Sequence, residues 1–464
     1  MKNRKYLIIA VGIIAMLYNS GCQKQLDIKP NDSVESAIAL KTSKDVEGVL
    51  IGAYTAAGLR GIYGGRFQSA SDFLGDDGDF AYFGTFSDYT ELNNKTITVN
   101  NSFVEGLWNA GYNTIGVCNT VLANLALVDP TKKAKVEGEA KFLRGMVYFD
   151  LARAFGKAWN DGSPTTNLAV PIILKPTTAI SGIEMVKRNT VAEVYAQAIS
   201  DLQFAENNLD IKSTYASSAA AAAVLARIYL TQEKYADAET EATKIISSGA
   251  YGLVEHFSDE FQVKEQATRV FNTSEDIFAI QISSQSGYNA LNEVYASSAF
   301  AGREETYLNG QFFDMFEEGD DRINEVTDDS FTAKFNNAFA NVVVIRLAEI
   351  YLIRAEARAL KPSPNLSGAA DDINVIRHRA LLEDTEATTP GDLLAAVKYE
   401  RRAELTFEGF RLFDLKRYKE TTYSIDGDGN HVDPFEWNSP KLVFPIPKRE
   451  RDANPLLTQN EGYQ

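Results

Sequence analysis

Apolar residues recur along much of this chain at intervals of three and four, the spacing that gathers them on one face of an α-helix. From Glu139 to Phe155 the period is carried by Phe142, Leu143, Met146, Phe149 and Ala152, with charges between them. Val191 to Leu209 repeats it with Val194, Tyr195, Ala198, Leu202 and Ala205. Ala219 to Ile246 predicts two helices broken near Gln232 and Glu233. Ile345 to Leu360 and Leu393 to Leu415 predict two more, and Thr98 to Phe103 predicts a short strand.

Several of these helices share a small signature. Leu225, Ala226 and Tyr229 return in type and spacing as Leu347, Ala348 and Tyr351, with a weaker copy in Leu143, Gly145 and Tyr148. Tyr235, Ala238 and Ala242 follow the first copy on a second helix. This is the spacing of tetratricopeptide-like helix pairs, in which a small residue admits the partner helix and the Tyr one turn on fills the adjacent gap. Ordinary amphipathic helices that happen to share Ala and Tyr would leave the same trace. The copies are unequally separated, so the fold class expected is mainly α, with helix pairs stacked as a scaffold rather than a regular solenoid.

Long irregular loops interrupt the helices. Tyr63 to Asn101 crowds Phe67, Phe73, Phe80, Tyr82, Phe83, Phe86 and Tyr89 among glycines and acids. Ser283 to Tyr307 contains Tyr288, Tyr295, Phe300 and Tyr307, and Thr421 to Pro447 is rich in Gly, Asp and Pro around Trp437. Aromatic content at this level argues against disorder and for a functional role.

The chain begins as an export signal. Lys2, Arg4 and Lys5 precede an apolar run from Tyr6 to Leu17, and Ser20 and Gly21 lead into Cys22. The run is shorter than the roughly 20 residues a membrane-spanning helix needs. Cys22 is therefore the expected lipid anchor, although Asn19 stands where lipoprotein processing sites usually carry Leu. Gln23 to Ser33 reads as a tether. Cys118 then has no intrachain partner, and its apolar-periodic neighbours make it a small buried hydrophobe. The formal charge is −17, and loss of the leader's basic residues makes the remainder more acidic. That balance excludes nucleic acid and anionic lipid as natural partners.

Candidate chemistry points to binding. The three histidines, His256, His378 and His431, are dispersed, and no phosphate loop or Gly-x-Ser-x-Gly is present. No metal and no cofactor is expected. Asp76, Asp77 and Asp79 lie in a Gly-Asp loop and read as turn formers or solvated acids rather than a hydrolase pair. Glu400 to Arg417 reads as a helix with ion pairs along its exposed face. Asp426, Asp428 and Asn430 resemble half a calcium loop, but His431 replaces the required Gly and Trp437 the closing Glu, so a turn is the better reading. The aromatic blocks supply flat faces for sugar rings and polar groups for their hydroxyls. The candidate ligand-binding residues are Arg66, Asp72, Tyr82, Phe83 and Tyr89 in one block, and Tyr288, Asn289, Tyr295 and Arg303 in the other. Half or more of these aromatics should simply anchor loops to the scaffold.

Several stretches together resemble the SusD/RagB family, surface lipoproteins of Bacteroidetes-type nutrient uptake systems. They are Cys22 with Leu26, Asp27 and Pro30; Glu139 to Arg144 leading to Tyr148-Phe149 and Phe155-Gly156; Arg346 to Ala357; and Glu400 to Arg411 with Asp414 to Arg417. Phe444 to Pro447, Asn454-Pro455, Gln459-Asn460 and Gly462-Tyr463 close the chain in that family's order. The resemblance implies a SusD-like fold with a helix-pair scaffold, a few short strands and a ligand face of irregular loops. It also implies an outer-membrane location facing outward and a SusC-like TonB-dependent transporter as partner. The expected ligand is an oligosaccharide; a peptide-binding counterpart and a gating lid with little ligand affinity are the alternatives. The expected organisation is signal 1–21, lipid-anchored tether 22–35, N-terminal region 36–260 and C-terminal region 261–464 in one body.

Overall fold

The computed structural model describes residues 40–177, 185–261, 271–282, 288–325, 330–425 and 430–464. Cys22, the leader and the tether lie outside these, as do Asp426 and Asp428. The N-terminal half contains α1 (Ser43–Ala57), α2 (Arg66–Gly75), β1 (Phe80–Tyr82), α3 (Ser87–Asn93), α4 (Ser102–Ala123), α5 (Lys133–Phe155), α6 (Val191–Asn208), α7 (Ser218–Thr231) and α8 (Tyr235–Ser247). The C-terminal half contains β2 (Asp276–Ile280), α9 (Ala290–Tyr295), β3 (Thr306–Leu308), α10 (Gly310–Asp314), β4 (Val342–Arg346), α11 (Leu347–Leu360), α12 (Leu366–Arg379), α13 (Pro390–Glu404), α14 (Arg411–Tyr418), β5 (Thr422–Ile425), β6 (His431–Phe435) and α15 (Lys448–Ala453).

Local chemistry sets the helix ends. Thr42 with Asp45 and Thr190 with Glu193 form reciprocal capping boxes at the starts of α1 and α6. Between α7 and α8 the chain turns at Glu233, with φ of 58°, which is the predicted break. The helices stack in sequence order: α5 on α6, α6 on α7, α7 on α8, then α8 on α11, and α11 on α12 and α13. The small residues of the signature sit at these seams. A Cβ on Gly145 of α5 would stand 3.0 Å from the Ala198 carbonyl oxygen of α6. Ala226, Ala238, Ala242 and Ala348 are fully buried. Ring contacts lock the stack, with Phe149 edge-on to Tyr195 at 5.3 Å and Phe142 edge-on to Phe278 at 4.9 Å. Three antiparallel two-stranded ladders, β1–β3, β2–β4 and β5–β6, hold the loop regions.

The structure corrects four expectations. Thr98 to Phe103 is no strand: Asn101 accepts the Phe103 and Val104 amides and starts α4. Leu393 to Leu415 is two helices, because Phe407 and Gly409 take φ of 63° and 87° between α13 and α14. The charges of Glu400 to Arg417 are largely internal rather than solvated. Glu400 and Glu404 have no solvent exposure and join Arg322, Arg346, Arg377, Arg379 and Glu275 in a buried network. Asp76, Asp77 and Asp79 form the expected turn, with the Asp79 amide donating to Asp76 Oδ1, but they are buried rather than solvated. Arg402 and Arg411 pair with Asp77, and Arg402 also reaches Asp79 at 2.6 Å. Cys118 is buried in α4 as expected, and burial pushes its thiol up to about 12.

Candidate functional site

The two aromatic blocks meet in one place. β1 pairs with β3 so that Ala81 stands opposite Tyr307 and Tyr82 opposite Thr306, and the Phe83 amide continues the ladder to the Glu305 carbonyl at 2.8 Å. Strand alternation turns Ala81, Phe83 and Tyr307 outward while Thr306 and Leu308 face in. Phe83 is 72% exposed, and its ring stands edge-on to Tyr307 at 5.6 Å. Tyr307 is backed in turn by Phe331 at 4.6 Å.

Polar groups border this ledge. Arg303 donates from Nε and Nη2 to Glu305 Oε1 at 2.8 and 2.6 Å, and from Nη2 to the Thr85 hydroxyl at 3.1 Å. Its guanidinium lies 4.3 Å from the centre of the Phe86 ring, which holds the 83–86 turn in place. The Tyr82 hydroxyl donates to Glu305 Oε2 at 3.4 Å, and burial, then the Glu305 charge, raise its phenol above the usual range. The result is an outward pair of rings beside the Arg303 guanidinium and the Thr85 hydroxyl, with the buried Glu305 carboxylate holding Arg303 and Tyr82 from behind. Such a set stacks on the C–H face of a sugar ring and hydrogen-bonds its edge.

The other candidate residues have different positions. Tyr89 and Tyr295 are interior. Tyr89 packs on Phe73 at 4.5 Å and shares a hydrogen bond with the Ser69 hydroxyl, while Tyr295 is enclosed by Phe80, Phe335 and Phe407. Its hydroxyl donates to Asp72, which also accepts the Gly409 amide at 3.0 Å. Gly409 is required there: its φ is 87°, and a Cβ would sit 2.6 Å from Gln68 Cα. Asp72 is thus a clasp on the 407–409 turn, and burial pushes its carboxyl well up. Asn289 caps α9 through the Leu291 amide and is buried. Tyr288 is half-buried and donates to Asn292. Arg66 covers the Phe103 ring at 3.9 Å, and its burial lowers the guanidinium below its usual range. Of the nine candidates, Phe83 and Arg303 stand at the surface, whereas Tyr82 shares the inward face of the ladder with Thr306, its ring against Phe73 and Tyr89 and its hydroxyl on Glu305. Tyr307 and Glu305 were not among them; the alternation Thr306-Tyr307-Leu308 is the signal that marks Tyr307 as outward, whereas Glu305 is itself buried.

Comparison with known proteins adds the family. Residues 281–463 match the sequence model of the SusD family, and residues 24–230 match that of a SusD-like family described as starch-binding and associating with the outer membrane. The chain belongs to the SusD family. Members of this family are binding proteins rather than enzymes. SusD-like protein P2 of Formosa agariphila is 25% identical across 99% of this chain and 100% of its own length. SusD-like protein P25 of the same organism is 23% identical across 99% of each. A putative sugar binding protein from Bacteroides vulgatus has the same fold, with a TM-score of 0.79 and 26% identity over 92% of this chain and 100% of its own. Surface glycan-binding protein A from Bacteroides uniformis superposes with a TM-score of 0.74 at 22% identity over 90% and 99% of the two chains. The mainly helical SusD fold, with its few short two-stranded sheets, is therefore the one this sequence adopts.

Proposed function

We propose that this SusD-family protein captures oligosaccharide on the Phe83–Tyr307 ledge at the cell surface and delivers it to a TonB-dependent outer-membrane transporter. Cys22 carries the lipid that anchors it, and the segment after it is the tether. The observation that carries the ligand assignment is the outward, largely exposed Phe83 ring set edge-on to Tyr307 beside Arg303 and Glu305. An exposed aromatic pair on a rigid ladder has no role in the core, whereas the buried rings of Tyr89 and Tyr295 do. Stacking of each ring on a sugar contributes of order 1 kcal/mol, so Phe83→Ala and Tyr307→Ala should each weaken binding about 5- to 10-fold. Isothermal titration against a panel of soluble oligosaccharides reads this, with no product released on long incubation. Unchanged affinity in both variants would move the site elsewhere. Binding of peptides but not sugars across matched panels would replace the ligand class.

A further inference from the structure

A second polar site lies away from the ledge, where the residues around Glu260 meet the β2–β4 ladder. The buried carboxyls of Glu260 and Asp276 lie against one another. Thr273 binds one oxygen of each: its hydroxyl donates to Glu260 Oε2 at 2.6 Å and its amide to Asp276 Oδ2 at 2.9 Å. The other two oxygens, Glu260 Oε1 and Asp276 Oδ1, are buried and reached by no N–H or hydroxyl donor, and beyond Thr273 the two carboxyls are in hydrogen-bond contact only with each other. Asn336, which is 3% exposed, also leaves its Oδ1 without a donor. All three residues line one cavity of about 40 Å³, flanked by the exposed Phe271 ring.

The neighbouring cations are already committed. Lys334 lines the same cavity, but its three N–H donors go to the Glu404 and Thr406 carbonyls and to Glu408. Arg346 is likewise spent on Glu275, Glu404 and Glu408. Two adjacent buried carboxyls without a counter-ion are unfavourable by several kcal/mol in the ionised state. They must share a proton or bind a cation. A water needs roughly 10–15 Å³ of such space, so the cavity has room for one ion and a water or two.

We propose that Glu260, Asp276 and Asn336 bind a calcium-sized divalent cation. The donors are all oxygen, two anionic and one amide, which selects a hard ion over zinc or copper. Three protein oxygens completed by water suit the variable coordination of calcium better than the strict octahedron that magnesium demands. The ion would fasten the chain at Glu260 to strand β2, giving the loop side of the molecule a cross-link that the helical scaffold does not supply.

The test is thermal unfolding of the purified chain at pH 7.5 after EDTA treatment, titrated separately with calcium and magnesium chloride, with calorimetric titration alongside. Saturating calcium should raise Tm by about 3–5 °C, and magnesium by less. Glu260→Gln should abolish the calcium shift while raising the metal-free Tm, because it removes the like-charge contact. Asn336→Leu, which changes no charge, should weaken calcium binding at least 10-fold and decides the matter if Glu260→Gln fails to fold. No response to either ion, or a calcium response of full size in both variants, would overturn the proposal; the second result would place the ion elsewhere, as at the Asp426–Asn430 run. Stabilisation on lowering the pH to 5.5, with no effect of either ion, would overturn it in favour of a shared proton.

Discussion

The helical stack of α5 to α8 and the charged core under α11 to α13 are equally buried and are held by opposite means. In the first, Phe142, Met146, Phe149 and Tyr195 interlock in a mainly apolar interior, and its buried charges stand as separate pairs such as Arg144 with Asp201 rather than as a network. In the second, Arg322, Arg346, Arg377 and Arg379 interleave with Glu275, Glu400 and Glu404, none with appreciable exposure. The apolar stack depends on shape, which is graded and forgiving. The ionic core depends on matching, because each charge is tolerated only while its partner is present. The loops that build the ledge are anchored to this second region through Asp72, Gly409 and the Phe407 ring. The loops of the ledge are therefore held in place by the part of the molecule least tolerant of single changes.

That contrast can be broken most sharply at Glu404. Glu404→Gln leaves the guanidiniums of Arg346, Arg379 and Arg322 short of their shared counter-charge and should cost about 3–5 kcal/mol in urea unfolding. Acid should act next most strongly, and on the same region. Burial alone would raise the Glu404 carboxyl, but Arg379, Arg346 and Arg322 outweigh it and hold it below the usual range. Glu408 and Asp414 are lowered in the same way, by Arg346 with Lys334 and by Arg401 with Arg417. Their stabilisation is complete above the unfolded carboxyl value and is lost as pH falls through the depressed folded values. Unfolding followed by circular dichroism should therefore set in only below about pH 4, and the Glu404→Gln variant should show a flatter acid limb. In the apolar stack, Phe149→Leu should cost only about 1–2 kcal/mol, since neighbours can close around it. A cost above that for Glu404→Gln would reverse the comparison. At the far end, Asp452→Asn removes the solvent-exposed pair with Lys448 in α15 and should shift stability by less than about 0.5 kcal/mol.

The helical stack was legible in the sequence because its signal is local. Three- and four-residue spacing located Glu139–Phe155 and Val191–Leu209, and the break at Gln232–Glu233 fell where Glu233 turns. The ionic core was not legible, because Glu400 and Glu404 stand at helical spacing whether they face water or the interior. Their partners Arg322 and Arg346 are distant in sequence, and only the fold brings them together. The same limit hid the turn inside Leu393–Leu415, which is fixed by the clasp from Asp72 onto Gly409. At the ledge, residue types were readable but orientation was not. Tyr89 and Tyr295 are aromatic loop residues like Phe83, and what separates them is the pairing of β1 with β3, partners such as Tyr82 and Thr306 that lie far apart in sequence.

The β1–β3 ladder divides its side chains into two independent sets. Thr306 and Leu308 are committed to the interior, whereas Ala81, Phe83 and Tyr307 face outward, with the Phe331 ring behind Tyr307. Mutation can therefore rewrite the outward set without renegotiating the fold. Under the proposed function, a lineage carrying this ladder can change its ligand at three codons, and a designer can graft a new recognition surface onto it by the same route.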